Sequence, residues 1–328
     1  AVSGALSTSG AALVANDMHL GLSVPGTWYR ARLVVAGPPG LDATGVTLPG
    51  VPFIVAGSTG RIAWGFTNSY IDTADAVIIE ETRPGFYRTP QGEAPFRVRR
   101  ERIGTRLGHE TLVVRDTVWG PIIGTDAKGR QIAMRWTAHE PRAVRIAPFM
   151  ALEQAGSVAD AIAIAHEAAM PQQNLVVGDR EGAIGWTIIG QLPDRFGFSG
   201  QDAVSFADGT KGWRGMLAPA GVPVVLNPPD GRLWTANARV VGGEAYVRLG
   251  DGGYDTGARA TRIRDLLFAR QQFAPADFLA IQLDDVAIRN RWWQQRLLAE
   301  LKARPRDPLL AAMAAPVSAW GERALPDS

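Results

Sequence analysis

Three observations predict an α+β fold. Glycine and proline are plentiful, at 37 and 22 of 328 residues, which favours many turns and short strands over a helical bundle. Alternating apolar and polar runs dominate residues 73–137. From residue 259 onward the apolar spacing becomes helical. With 46% hydrophobic and 20% charged residues, the chain is long enough to bury a large core, and its length fits two or three domains.

The elements follow in order. Residues 1–29 read as two short strands around a turn at Ser7-Thr8-Ser9-Gly10, then a loop. Residues 51–57 and 61–67 read as a second strand pair, turning at Ser58-Thr59-Gly60. Between residues 73 and 137, alternating runs at 76–80, 96–100, 111–115 and 131–136 sit between Pro, Gly and Asp turns, the pattern of a small all-β unit. Residues 147–169 read as one or two helices, with Ser157 as a capping residue before an alanine-rich face. A strand pair follows at 174–179 and 183–189, turning at Arg180-Glu181-Gly182. Helices are predicted at 259–271, 275–283 and 286–304, and 307–328 reads as a last helix with no closing element. There is no internal repeat and no low-complexity segment.

Composition removes several function classes. The formal net charge is only +2, with 34 Lys+Arg against 32 Asp+Glu and no long basic run, so nucleic acid is not an expected partner. The chain has no cysteine, which excludes disulfide and thiolate chemistry. No apolar run reaches the length of a membrane span. His109, His139 and His166 lack metal-ligand spacing and are expected at the surface.

The most informative stretch is Leu13-Val14-Ala15-Asn16-Asp17-Met18-His19-Leu20-Gly21, followed by Pro25-Gly26-Thr27-Trp28-Tyr29, which places polar groups at the end of an apolar strand. Further motifs are Gly60-Arg61-Ile62-Ala63-Trp64-Gly65-Phe66-Thr67-Asn68, Asp72-Thr73-Ala74-Asp75, Val118-Trp119-Gly120-Pro121 and Leu192-Pro193-Asp194-Arg195. Trp234-Thr235-Ala236-Asn237 and Gly257-Ala258-Arg259-Ala260-Thr261-Arg262-Ile263 complete the set. Read singly, each has a bland meaning. Asn237 is a turn asparagine, His19 a structural histidine, Arg259 a solvated helix-start charge, and Asp72 with Asp75 a solvated acidic pair.

Taken in order, these motifs resemble the β-chain of the penicillin amidase family, the penicillin acylases and acyl-homoserine-lactone acylases. These are N-terminal nucleophile hydrolases. The resemblance implies a four-layer αββα sandwich, with residues 1–72 and 146–285 in the core, 73–145 as an inserted all-β domain, and 286–328 as the start of a helical domain. It implies hydrolysis of a linear amide, with an N-acyl small molecule as substrate and the α-chain of the same precursor as partner. The expected location is the bacterial periplasm or outside the cell.

Residue by residue, the resemblance makes Asn237 the side-chain oxyanion donor and the backbone N–H of Asn68 the second donor. His19 would hold a terminal amine as a neutral base, and Arg259 would orient Asn237 or tune that amine. Met18, Leu20, Trp28, Phe53 and Phe66 would line an acyl pocket. Asp72, the Ala74 carbonyl and Asp75 match a structural calcium loop, with Gly200 and Asp251 as further candidates. No cofactor is needed for the chemistry. Trp119 stands where the family usually has histidine, so no role is carried to it.

The family's β-chain opens with Ser-Asn-x-Trp, and that tetrapeptide does not precede Ala1 in this sequence. The nucleophilic serine is therefore expected about four positions before Ala1, in a larger enzyme of which this chain is a piece. The chain alone is expected to be inactive, because Ser3 has no α-amine of its own to act as base. The alternative is a non-catalytic small-molecule-binding protein that keeps the fold.

Overall fold

The computed structural model describes residues 1–18, 20–21, 23–141, 143–305 and 307–325. Two sheets organise it. The larger has seven strands in the order Tyr29–Val35, Leu41–Thr47, Ala56–Ser58, Ile62–Asn68, Gln173–Asp179, Ile184–Ile189 and Val224–Leu226, each antiparallel to its neighbour. The six-stranded sheet runs Val204–Ser205, Ala74–Ile78, Gln131–Trp136, Gly120–Thr125, Gly108–Thr117 and Arg97–Thr105.

The register of the larger sheet assigns its two faces. Leu175 pairs with Phe66 and Thr187, and Val177 with Trp64 and Gly185. Because side chains alternate along a strand, Ile62, Trp64, Phe66, Leu175, Val177 and Ile189 share one face. That face carries the main core with Val158, Ala161 and Ala165 of the helix Val158–Glu167. Ser157 begins this helix as predicted, accepting the Asp160 N–H at 3.2 Å. The other face presents Gly65, Thr67, Asn174, Val176, Ile184, Trp186 and Ile188. Val176, Ile184, Trp186 and Ile188 pack there with Leu233 and Leu249 in a second cluster.

The two short strands expected around the Ser7–Gly10 turn do not form among the described residues. Val2 instead makes isolated bridges to Leu13 on one side and Arg232 on the other, and Gly4–Leu6 is a short 3-10 turn. This segment packs on the helices Ala258–Phe268 and Pro275–Gln282 through Val2, Leu267, Phe273 and Phe278. Arg232, only 6% exposed, donates to the carbonyls of Leu267 (2.8 Å), Arg270 (2.7 Å) and Asp230 (2.6 Å). It satisfies carbonyls at the helix end that would otherwise be buried without partners.

His166 departs from the expected surface position. It is half-buried between its helix and the sheet, with Nε2 2.8 Å from Thr187 Oγ1. Thr187 gives its own proton to the Pro223 carbonyl, so it accepts from His166 and fixes the Nε2–H tautomer. His109 and His139 are exposed, as expected.

Candidate functional site

The site stands at the C-terminal end of the Ile62–Asn68 strand, on the sheet face opposite the helix Val158–Glu167. Two bonds between polar groups join this strand end to the segment 233–237. Thr67 Oγ1 lies 2.9 Å from Thr235 Oγ1, and Asn237 Nδ2 donates to the Asn68 carbonyl at 2.9 Å. Asn174 Nδ2 bonds Thr67 Oγ1 (3.0 Å) and is itself held by the Trp186 indole, which donates to its Oδ1 at 2.9 Å.

Asn237 is presented by an unusual backbone. Ala236 and Asn237 both have left-handed conformations, at φ +52° and +62°. Asparagine tolerates this region, but alanine adopts it at a cost of the order of 1 kcal/mol. Arg259, at the second position of the helix Ala258–Phe268, donates Nη2–H to Asn237 Oδ1 at 2.8 Å. Arg259 is in turn anchored by Asp255, which accepts from Nε (3.2 Å) and Nη2 (2.8 Å). Those bonds from Arg259 hold the Asp255 carboxyl below the usual carboxylate range. With its oxygen on Arg259 and one N–H on Asn68, Asn237 has a second N–H with no acceptor among the described residues.

The structure therefore brings Asn68, Asn237 and Arg259 into one chain of bonds. His19 lies outside the described residues. The five expected lining residues separate. Met18 lines a groove of about 310 Å³ together with Val14, Asn16, Val46, Ala56 and Ala63. Phe53 and Phe66 pack against Phe149, with ring centroids 4.5 and 5.4 Å away, in the core on the helix face. Leu20 is half exposed, and the Trp28 indole N–H is buried without a partner among the described residues.

Asn16, in the opening motif, holds the edge of the Ile62–Asn68 strand. Its side chain acts as a strand partner for Phe66, donating to the carbonyl (2.9 Å) and accepting the N–H (3.3 Å). Gly65 makes room for it, since a Cβ there would stand 2.7 Å from Asn16 Cβ.

Asp72 and Asp75 are buried together, at 8% and 3% exposed. The counter-ion is Arg195, with Nη2 3.1 Å from Asp72 Oδ1 and Nε 2.8 Å from Asp75 Oδ2. Burial pushes the Asp72 carboxyl up to about 6, against the pull of Arg195. One oxygen of each acid, Asp72 Oδ2 and Asp75 Oδ1, has no hydrogen-bond partner among the described residues. Gly200 and Gly250 press on Asp72, and a Cβ at either would come within 2.5 to 2.6 Å of its side chain. Two free buried carboxylate oxygens in a cradle that excludes side chains fit a hard cation. Arg195 fills part of the pair's charge demand, and among the described residues no group of three or more Asp, Glu, His or Cys side chains is arranged around one point.

The family described as penicillin amidase matches residues 1–328. An acyl-homoserine lactone acylase, QuiP, from Pseudomonas aeruginosa is 29% identical over 301 residues, 86% of this chain and 35% of its own. A penicillin acylase 2 proenzyme from Pseudomonas sp. strain SE83 is 28% identical over 88% of this chain and 37% of its own. The chain thus spans about a third of the length of these relatives. A thermostable penicillin G acylase from Alcaligenes faecalis superposes with a TM-score of 0.75 at 19% identity, covering 98% of this chain and 58% of that one. That likeness shows a shared fold. Among the described residues, no helix is long and apolar enough to cross a membrane.

Proposed function

Because this chain belongs to the penicillin amidase family, whose named relatives are amide-hydrolysing acylases, we propose that it supplies the oxyanion-binding half of such an acylase. The substrate is an N-acyl compound of the acyl-homoserine-lactone or penicillin class. The observation that carries this reading is the bonded series Asp255–Arg259–Asn237–Asn68, which leaves one amide N–H of Asn237 unspent. A neutral amide donor fixed before the reaction stabilises developing negative charge without reorganising. The Asn68 backbone N–H is the second donor.

The nucleophile of this reading precedes Ala1. Ala1 and Leu233 exchange both backbone hydrogen bonds, at 2.7 and 2.9 Å, and Ser3 donates to the Gly231 carbonyl at 2.9 Å. A chain continued before Ala1 in that antiparallel direction would run beside residues 234 and 235 toward the turn that presents Asn237. A serine there, using its own α-amine as base, would have its tetrahedral intermediate beside the Asn237 amide. The α-chain would complete the enzyme, in the periplasm or outside the cell, and His19 would keep the α-amine neutral. Asp72, Asp75 and the Ala74 carbonyl would hold a calcium ion of structural role. That ion would neutralise the buried pair and take no part in the chemistry, and its test is a melting temperature that rises with calcium in the wild type and not in Asp75→Asn.

The test of function is Asn237→Ala in the full-length protein, assayed on N-acyl-homoserine lactones. The expected result is a fall in kcat of roughly a hundredfold or more with little change in KM. A variant with wild-type kcat would remove Asn237 from this role.

A further inference from the structure

A cleft of about 460 Å³ opens in the β-rich part of the molecule, and none of its lining residues belongs to the segments that carry Asn68, Asn237 or Arg259. Its Arg99 is spent on two carboxylates, Asp116 and Glu101. Arg97 and Asp116 face each other across the ribbon of Arg97–Thr105 and Gly108–Thr117. Asp116 is already engaged by the neighbouring Arg99, whose Nε and Nη2 reach its two oxygens at 2.5 and 3.2 Å. The Arg97 side chain makes no hydrogen bond or ion pair among the described residues, although its charge helps to lower the Asp116 carboxyl.

Two further donors line the same cleft. His139 packs edge-on against Trp136, with ring centroids 5.3 Å apart. Gly120 lies beneath it, where a Cβ would be 3.6 Å from Nδ1. The imidazole has no hydrogen bond among the described residues. Tyr87 is 1% exposed, and its hydroxyl accepts the Val118 N–H at 2.7 Å. The hydroxyl's own proton has no acceptor among the described residues. A guanidinium, an imidazole N–H and a buried phenol O–H thus share one cleft, each with donor capacity unspent.

We propose that this cleft binds a small organic carboxylate. Its head would be held by Arg97, His139 and Tyr87, and its short apolar body would lie on Pro95, Val118 and Pro121. The volume is well above what a bare oxyanion fills and lies in the range of small-ligand pockets. No residue is shared with the amide-hydrolysis site, so the two readings stand or fall separately.

The experiment is calorimetric titration of the 328-residue chain at fixed ionic strength with hexanoate, hexanamide and inorganic phosphate. Hexanoate is expected to bind with one site, and hexanamide at least tenfold more weakly. Arg97→Gln, an exposed position, should weaken hexanoate at least tenfold without changing the melting temperature. Tyr87→Phe should weaken it severalfold, and Asn237→Ala should leave it unchanged. Absence of saturable hexanoate binding overturns the proposal. So does binding that Arg97→Gln leaves intact, which would place the ligand elsewhere. Phosphate binding as tight as hexanoate would overturn the apolar part of the site.

Discussion

Arg259 Nη2 sits 2.8 Å from Asn237 Oδ1, and this one bond decides which end of the asparagine amide faces the Asn68 carbonyl. A donor on the oxygen and an acceptor at 2.9 Å from the nitrogen leave a single consistent orientation. Arg259→Ala should therefore loosen Asn237 without removing it. In the full-length enzyme kcat should fall about tenfold or more, less than for Asn237→Ala, with KM nearly unchanged. Arg259→Lys should recover part of the loss, since an ammonium can reach the oxygen but cannot also hold Asp255 through two nitrogens. Wild-type kcat in Arg259→Ala would show that Asn237 needs no such support.

Gly65 and Asn16 form a fitted pair. Gly65→Ala should destabilise the chain by about 1–3 kcal/mol, because a Cβ at 2.7 Å displaces a side chain that bonds the Phe66 backbone twice. Asn16→Ala should cost about 1–3 kcal/mol by leaving the Phe66 backbone groups without that partner. Urea midpoints measure both, and unchanged midpoints would contradict the packing described.

His166 gives the fold an acid sensitivity. Burial holds its imidazole below the ordinary value of 6.5, so the unfolded chain takes up the proton at a higher pH than the folded one. The stability tied to neutral His166 is present above pH 6.5 and is lost as pH falls through the lowered folded value. His166→Gln, which can still donate to Thr187, should flatten that part of the stability profile. The measurement is the denaturation midpoint between pH 7 and 5, and parallel profiles for the two proteins would refute the assignment.

Met18 borders the groove beside Asn16 together with Val14 and Val46. A flexible methionine against aliphatic walls accommodates straight chains by repacking. In an N-acyl-homoserine-lactone series, kcat/KM of the full-length enzyme should rise with acyl length, each buried methylene contributing about 0.8 kcal/mol until the groove is full. Penicillin G should be the poorer substrate. A preference for penicillin G with no chain-length dependence would reverse this assignment.

Much of the fold was legible in local pattern. Residues 131–136 alternate and form the strand Gln131–Trp136, and Ser157 begins its helix where a capping residue was expected. The hairpin Tyr29–Val35 and Leu41–Thr47 was not foreseen. Most of its first strand is exposed, so burial imposes no clear alternation; the turn residues Pro38, Pro39 and Gly40 were the available signal. At the candidate site, Asn68, Asn237 and Arg259 each stand in a motif of the sequence, and the structure bonds them together. The pairing of Arg195 with Asp72 and Asp75 was not legible, because it joins residues 120 or more positions apart that no local spacing connects. Phe53 and Phe66 show the same limit: an aromatic in a motif does not reveal which sheet face it occupies until the register is known.

The left-handed pair Ala236–Asn237 separates two moments in the life of the protein. Its conformational cost is borne once, when the chain folds and the Thr67–Thr235 and Asn68–Asn237 bonds close around it. That cost does not recur afterwards, because the amide is already held by Arg259 and the Asn68 carbonyl. Ala236→Gly would ease the backbone, yet it would give the same segment freedom before each encounter. A less strained chain at this point would be a slower listener.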